Sequence, residues 1–199
     1  MTDQIALIAG ATGAAASRLT ELIARTPGWQ AVGLCRNPPA EPPPGNVRYI
    51  ATDFTSLDSC KAAVAHAGAV THLVYAARAP FGEGGVEDVP ANLTLLRNLL
   101  DAADVPSLKH VHLLEGGKWY GLHIGPMRSP TKENDPRHMP PNFYYDQQDL
   151  LTARAEGKSW SWSASRPQYL VDVAPGAGAE FDNGCRRLCG DLPGTGGRV

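Results

Sequence analysis

The sequence predicts a doubly wound parallel α/β sheet, and three observations carry that expectation. Short apolar runs recur along the chain with helical stretches between most of them, the pattern of a parallel sheet covered on both faces. The first run opens through glycines into alanines, as a buried strand does when it turns into a helix over a phosphate. At 199 residues, 43% hydrophobic and 19% charged, the chain suffices for one globular domain with a sizeable core.

Five apolar runs read as strands: Gln4 to Ala9, Gln30 to Cys35, Val47 to Thr52, Thr71 to Tyr75 and His110 to Leu114. Ser161 to Arg166, where Trp162 and Ala164 alternate with serines ahead of Pro167, is a sixth candidate. Helices are expected at Ala14 to Arg25, Ser56 to His66 and Ala91 to Ala103, the last with a leucine stripe at Leu93, Leu95, Leu96, Leu99 and Leu100. Another opens at Asn142 and runs through Leu150, Leu151 and Ala153. Right-handed crossovers between such strands produce the doubly wound sheet. Proline-rich stretches interrupt the order at Asn37 to Pro44 and Pro126 to Pro141. The first reads as a surface loop, the second as either a substrate-covering segment or a plain connection.

The spacing Gly10-x-x-Gly13-x-x-Ala16 suits a dinucleotide. The first glycine allows a tight turn, the second lets the backbone approach a pyrophosphate, and Ala16 lets helix and strand pack closely. Gly10, Thr12, Gly13 and Ala14 are candidate cofactor contacts, at a helix start whose free N–H groups favour an anion. Packing alone is the alternative. The second strand ends in Cys35-Arg36-Asn37. An acidic residue there would accept from the 2′-hydroxyl of NAD, whereas Arg36 matches the 2′-phosphate of NADP(H); an ordinary solvated arginine is the alternative. Asp53 and Phe54 suit a carboxylate beside the adenine amine and an adjacent backbone contact, with a simple helix cap as the alternative. Ala76 leaves room for the cofactor at the carboxyl edge, where ligands lie in such folds.

A net charge of −2 gives no reason to expect a nucleic-acid or anionic-membrane partner, which favours a small-molecule substrate. No apolar run approaches the roughly 20 residues of a spanning helix. Met1-Thr2-Asp3-Gln4 lacks a basic signal-peptide start, so a cytoplasmic location is expected. Cys35, Cys60, Cys185 and Cys189 show no C-x-x-C spacing and the six histidines no H-x-x-x-H, so no metal site is expected. Nothing in the sequence sets the oligomeric state.

Chemistry-bearing residues gather after the fifth strand. Glu115-Gly116-Gly117-Lys118-Trp119-Tyr120 puts a flexible glycine pair and a cation at the carboxyl edge, and Tyr144 and Tyr145 open the following helix. Common short-chain dehydrogenases carry a lysine four residues after the catalytic tyrosine, on one helix face. Here those positions hold Gln148 and Asp149. Lys118 is then the candidate cation, expected to draw the Tyr144 pKa down and to reach the cofactor ribose. A solvated loop lysine and an anchoring aromatic are the alternatives.

These residues resemble a known family, the progesterone 5-beta-reductase and iridoid synthase-like enzymes, atypical extended short-chain dehydrogenases/reductases. The resemblance runs from about Ile5 to Pro175. Its most specific parts are Gly116-Gly117-Lys118-Trp119-Tyr120, Gly125-Pro126, Asn142 to Asp146, and Trp160 to Ser163 running to Arg166-Pro167. It implies a Rossmann fold, NADPH as cofactor, Lys118 and Tyr144 as the catalytic pair, and reduction of an activated carbon–carbon double bond. Ala16 replaces the third glycine, and Asp172 stands where the family has a glycine. After Pro175 the family continues into a substrate lobe, whereas Gly176 to Val199 is rich in glycine and arginine without periodicity. Residues 1–175 are expected to form the dinucleotide-binding domain, and 176–199 a divergent, disordered tail of a truncated chain, with a frameshift as one origin. The alternative function is a non-catalytic NADP-binding protein or remnant. A carbonyl reductase or sugar-nucleotide epimerase on the same fold is a third.

Overall fold

The computed structural model describes residues 4–168. Six parallel strands form one sheet in the order β3-β2-β1-β4-β5-β6. They are β1 Gln4–Ala9, β2 Trp29–Cys35, β3 Val47–Ala51, β4 His72–Tyr75, β5 His110–Leu114 and β6 Ser161–Ser165. The helices are α1 Ala14–Ala24, α2 Leu57–Ala67, α3 Val89–Ala103 and α4 Phe143–Ala155. The chain winds outward from β1 to β3 and returns on the other side of β1 as β4, which places a crevice at the carboxyl ends of these strands. The doubly wound sheet of the sequence reading is the observed fold. Asp172, the boundary at residue 175 and the expected tail lie outside the described residues. No helix among the described residues is long and apolar enough to cross a membrane.

Side-chain caps set the helix starts. Ser56 Oγ accepts from the Ser59 N–H at 3.2 Å ahead of α2, and Asp88 Oδ1 accepts from the Ala91 N–H at 2.8 Å ahead of α3. Helix α3 therefore begins at Val89 rather than at Ala91, since Pro90 falls in the first turn, where a missing N–H costs nothing.

Alternation along the strands separates two cores. Leu7, Val32, Leu34, Leu73, Val111 and Leu113 pack with α2, α3 and α4, where Leu96, Leu99 and Leu151 are fully buried. Ala6, Ile8 and Ala31 pack on the opposite face against Ala16 and Ala24 of α1. Small residues on both sides let this helix sit close to the sheet.

Beyond α1, that same face is polar. His72 of β4 pairs across from His110 of β5, and serines of β6 bond to the β5 histidines. His110 contacts the Ser161 and Ser163 hydroxyls at 2.8 and 2.9 Å, and His112 contacts those of Ser163 and Ser165, both at 2.9 Å. Burial first, then repulsion from His110, holds His72 and His112 below the ordinary imidazole value. A histidine depressed in this way is neutral in the fold and protonates more readily in the unfolded chain. Its contribution is complete above about pH 6.5 and is lost as pH falls through the depressed folded values. Denaturant titrations are therefore expected to show unfolding free energy falling below about pH 6.5. His112→Gln should flatten part of that fall, and an unchanged slope counts against the ladder as its source.

Candidate active site at the carboxyl edge

At the end of β1 the backbone turns at Gly10 with a φ of 75°. A Cβ there would lie 2.9 Å from the Ala76 carbonyl oxygen beyond β4, so glycine is what lets these two loops touch. The Gly10 N–H donates to the Leu34 carbonyl at 2.9 Å, and the Gly13 N–H closes the turn onto the Gly10 carbonyl at 2.9 Å. Gly13 is the N-cap of α1 and carries no side-chain oxygen, and the first turn holds no acidic residue. Thr12, Gly13 and Ala14 are exposed beside these backbone donors. The N–H groups that open α1 from Ala14 carry a partial positive charge and no side-chain cap, which fits a diphosphate.

Arg36 is exposed one residue beyond β2, and Asp53 is exposed beyond β3. The Asp53 carboxylate accepts from the Thr55 hydroxyl at 2.7 Å and the Thr55 N–H at 2.9 Å. Those bonds, with a smaller contribution from the Arg36 charge, hold it below the ordinary carboxylate range. The cap of α2 is Ser56 rather than Asp53. Phe54 is a core side chain, 7% exposed, and its carbonyl accepts from Asn98 Nδ2 at 2.9 Å.

On the other side of the crevice, a tight 3-10 turn, Gly117–Tyr120, follows β5. Asn142 ties it to α4: Nδ2 donates to the Lys118 carbonyl at 2.9 Å, and Oδ1 accepts from the Tyr144 N–H at 3.2 Å. One side chain thus sets the Lys118 and Tyr144 backbones relative to each other. The two tyrosines divide their tasks. The Tyr145 hydroxyl donates to the Trp119 carbonyl at 2.6 Å and accepts from the His138 N–H at 2.8 Å, with its ring edge-on to Trp119. The Tyr144 hydroxyl has no hydrogen-bond partner among the described residues and lies against Gly116, where a Cβ would come 3.0 Å from it.

Lys118 departs from the expected arrangement. Its Nζ donates to Glu87 Oε1 at 2.6 Å and lies 5.7 Å from the centre of the Phe81 ring, both on the loop between β4 and α3. The Tyr144 phenol is pushed above its ordinary value, by burial first and then by the Glu87 carboxylate, with Arg78 opposing and Glu115 adding. The expectation that Lys118 draws it down is corrected on that account. Glu87 meets the ammonium charge, and burial disfavours the phenolate.

Two polar ties that sequence spacing did not signal hold this region together. Glu115 is fully buried at the end of β5, and Arg166 Nε donates to its Oε2 at 2.6 Å. The same guanidinium donates to Gln148 Oε1 at 2.9 Å and stacks 3.7 Å from the Trp119 ring centre. Burial raises the Glu115 carboxyl, with Arg166 opposing. In the second tie, Asn92 Oδ1 accepts from the Ala79 N–H at 3.0 Å while Gln147 Nε2 donates to the Asn92 carbonyl at 3.2 Å. The Arg166-Pro167 pair was visible at the end of the sixth run; its buried partner was not.

The pattern of the PRISE-like Rossmann-fold domain matches residues 53–179, more than half of the chain. The chain belongs to this family. An (S)-8-oxocitronellyl enol synthase of Antirrhinum majus is 36% identical, the match covering 87% of this chain and 47% of that protein. The short chain dehydrogenase gsfE of Penicillium aethiopicum is 34% identical over 83% of this chain and 47% of its own. A 3-oxo-Delta(4,5)-steroid 5-beta-reductase of Arabidopsis thaliana is 31% identical over 87% and 48%. The chain spans about half the length of the curated relatives it matches. Among solved structures, a UDP-glucose 4-epimerase of Brucella ovis in complex with NAD superimposes with a TM-score of 0.66 at 20% identity, over 82% of this chain and 51% of that one. The Bifidobacterium longum enzyme in complex with NAD+ and UDP gives 0.64 at 17%, over 82% and 52%. At such identities the likeness shows the Rossmann fold alone.

Arg166→Met strands the Glu115 carboxylate in the interior, so a loss of about 3–5 kcal/mol is expected in denaturant unfolding. A loss below about 1 kcal/mol, the range of an exposed pair, would show that the tie is not buried in solution.

Proposed function

We propose that the chain is the cofactor-binding portion of an NADPH-dependent oxidoreductase that reduces activated carbon–carbon double bonds, such as those of small-molecule enones. The observation that carries the reading is the Tyr144 hydroxyl, without a partner among the described residues, beside Gly116 on the sheet edge that also holds the Gly10 turn. Gly10, Thr12, Gly13 and Ala14 would hold the diphosphate, Arg36 the 2′-phosphate, and Asp53 with the backbone at Phe54 the adenine end, while Ala76 leaves room beside them. The dinucleotide-binding unit is read as residues 1–175.

NADPH held there would supply a hydride for the beta carbon of the enone, and the enolate left behind would take its proton at the alpha carbon from solvent. As negative charge gathers on the substrate carbonyl oxygen, Tyr144 donates a hydrogen bond to it. Lys118, its charge met by Glu87, would reach the cofactor ribose. A positioned donor of this kind is worth about 10²–10³ in rate. Relatives that are a steroid 5-beta-reductase and an enol synthase support this reaction class, and neighbours of the same fold bound to NAD support the cofactor class.

A fluorescence titration is expected to show tighter binding of NADPH than of NADH, with the preference removed in Arg36→Ala. Equal affinities in the unsubstituted chain would sink the NADP assignment. Tyr144→Phe is expected to lower NADPH-dependent enone reduction by about 10²–10³. NADPH binding without turnover in the unsubstituted chain favours the second reading, a non-catalytic NADP-binding protein.

A further inference from the structure

Resting on the reductase reading, we propose that Glu87 is a positioning residue of this site: its carboxylate fixes the Lys118 ammonium and takes up the positive charge that would otherwise act on Tyr144. Glu87 sits immediately before Asp88, the N-cap of α3, on the loop that leaves β4. That loop is anchored at both ends by Asn92, which accepts from the Ala79 N–H at 3.0 Å and donates to the Asp88 carbonyl at 2.8 Å. The Glu87 side chain is 14% exposed and that of Lys118 is 36% exposed, so the carboxylate is the fixed member and the lysine the one held. A lysine on a flexible four-carbon stem has no preferred place in a loop without such a partner. The pair closes at 2.6 Å in partly desolvated surroundings, where attraction exceeds that of a solvated surface pair.

The charges facing Tyr144 come from two segments. Glu87 and Arg78 approach from the loop after β4 and Glu115 from the end of β5, with Lys118 two residues beyond Gly116, which lies against the Tyr144 hydroxyl. Glu115 is matched by Arg166 and Lys118 by Glu87, while Arg78 stacks at 3.7 Å on the centre of the Phe81 ring. The phenol keeps its proton under this balance, since burial and Glu87 both disfavour the phenolate. A neutral phenol suits the proposed step: it has a proton to share with a carbonyl oxygen that is gaining charge, which a phenolate does not.

The test uses the full chain labelled with tyrosine carrying ¹³C at the ζ position. The Tyr144 signal among the six tyrosines is assigned by its absence in Tyr144→Phe. Glu87→Gln is expected to move the Tyr144 ionisation midpoint to lower pH, while Glu87→Asp stays near the unsubstituted chain. In steady-state enone reduction, Glu87→Gln should lower kcat about tenfold with KM little changed, short of the ~10²-fold that a 1 Å misplacement costs, and Glu87→Asp should restore most of it. A merely structural Glu87 would alter stability without moving the Tyr144 titration.

An unmoved midpoint in folded Glu87→Gln overturns the proposal. Should that variant fail to fold, Lys118→Met reads the pairing from its other member. With the Glu87 charge unmatched, the midpoint is expected to move to higher pH, and an unmoved one overturns the proposal equally. The outcomes separate the two claims. If the unsubstituted chain binds no NADPH, the reductase reading fails while the midpoint still decides the pairing. If it turns over and Glu87→Gln leaves the midpoint in place, the Glu87 inference alone fails.

Discussion

Gly10 turns the chain so tightly against Ala76 that a Cβ would stand 2.9 Å from that carbonyl oxygen, and the near side of the carboxyl edge, where β1 gives way to α1, depends on this contact. Strand β1 lies at the centre of the sheet, with Ala9 level with Leu34 on one side and Tyr75 on the other. The backbone leaving it must clear both neighbours before α1 begins. A glycine at positive φ makes that turn without a side chain between the loops. The first turn of α1 is thereby brought over the strand ends, and because the strands are parallel, the segments carrying Arg36, Asp53 and Lys118 emerge on the same edge.

The far side of the crevice is assembled by a different kind of force. There the ordering groups are polar side chains in low dielectric, where a satisfied network specifies one arrangement and a broken one is costly. Asn142 links Lys118 to the start of α4, Arg166 ties the ends of β5 and β6 to α4, and Asn92 joins the β4–α3 loop to Gln147. Consecutive helix residues point about 100° apart, so Tyr145 anchors the turn through Trp119 while Tyr144 meets Gly116. A lone pair of adjacent tyrosines thereby acquires two separate roles.

Legibility in the sequence tracked the range of the interaction responsible. The strands were readable as short apolar runs because the central β1 and β2 are buried along most of their length and β4 and β5 bury every second residue, and their limits agree to within a residue or so. Helix α3 starts two residues ahead of the leucine-stripe helix at Ala91, because the Asp88 cap and Pro90 open it before the stripe begins. The glycine turn and the place of Arg36 just beyond β2 were readable because a backbone conformation and a strand-end position are local properties. Glu87, Asn92 and Glu115 were missed because their partners lie 31, 55 and 51 residues away in sequence.

The sequence by itself determined the order of strands and helices and the glycine-rich entrance to α1, since periodicity and backbone chemistry act over a few residues, and its motifs carried the resemblance to the family. Only the tertiary structure decided which group Lys118 pairs with and in which direction the Tyr144 phenol shifts. Both are settled by competition among charges and by burial. Glu87 reaches the ammonium at 2.6 Å only once the loop after β4 has closed over the turn after β5, and the interior that raises the phenol exists only in the folded chain.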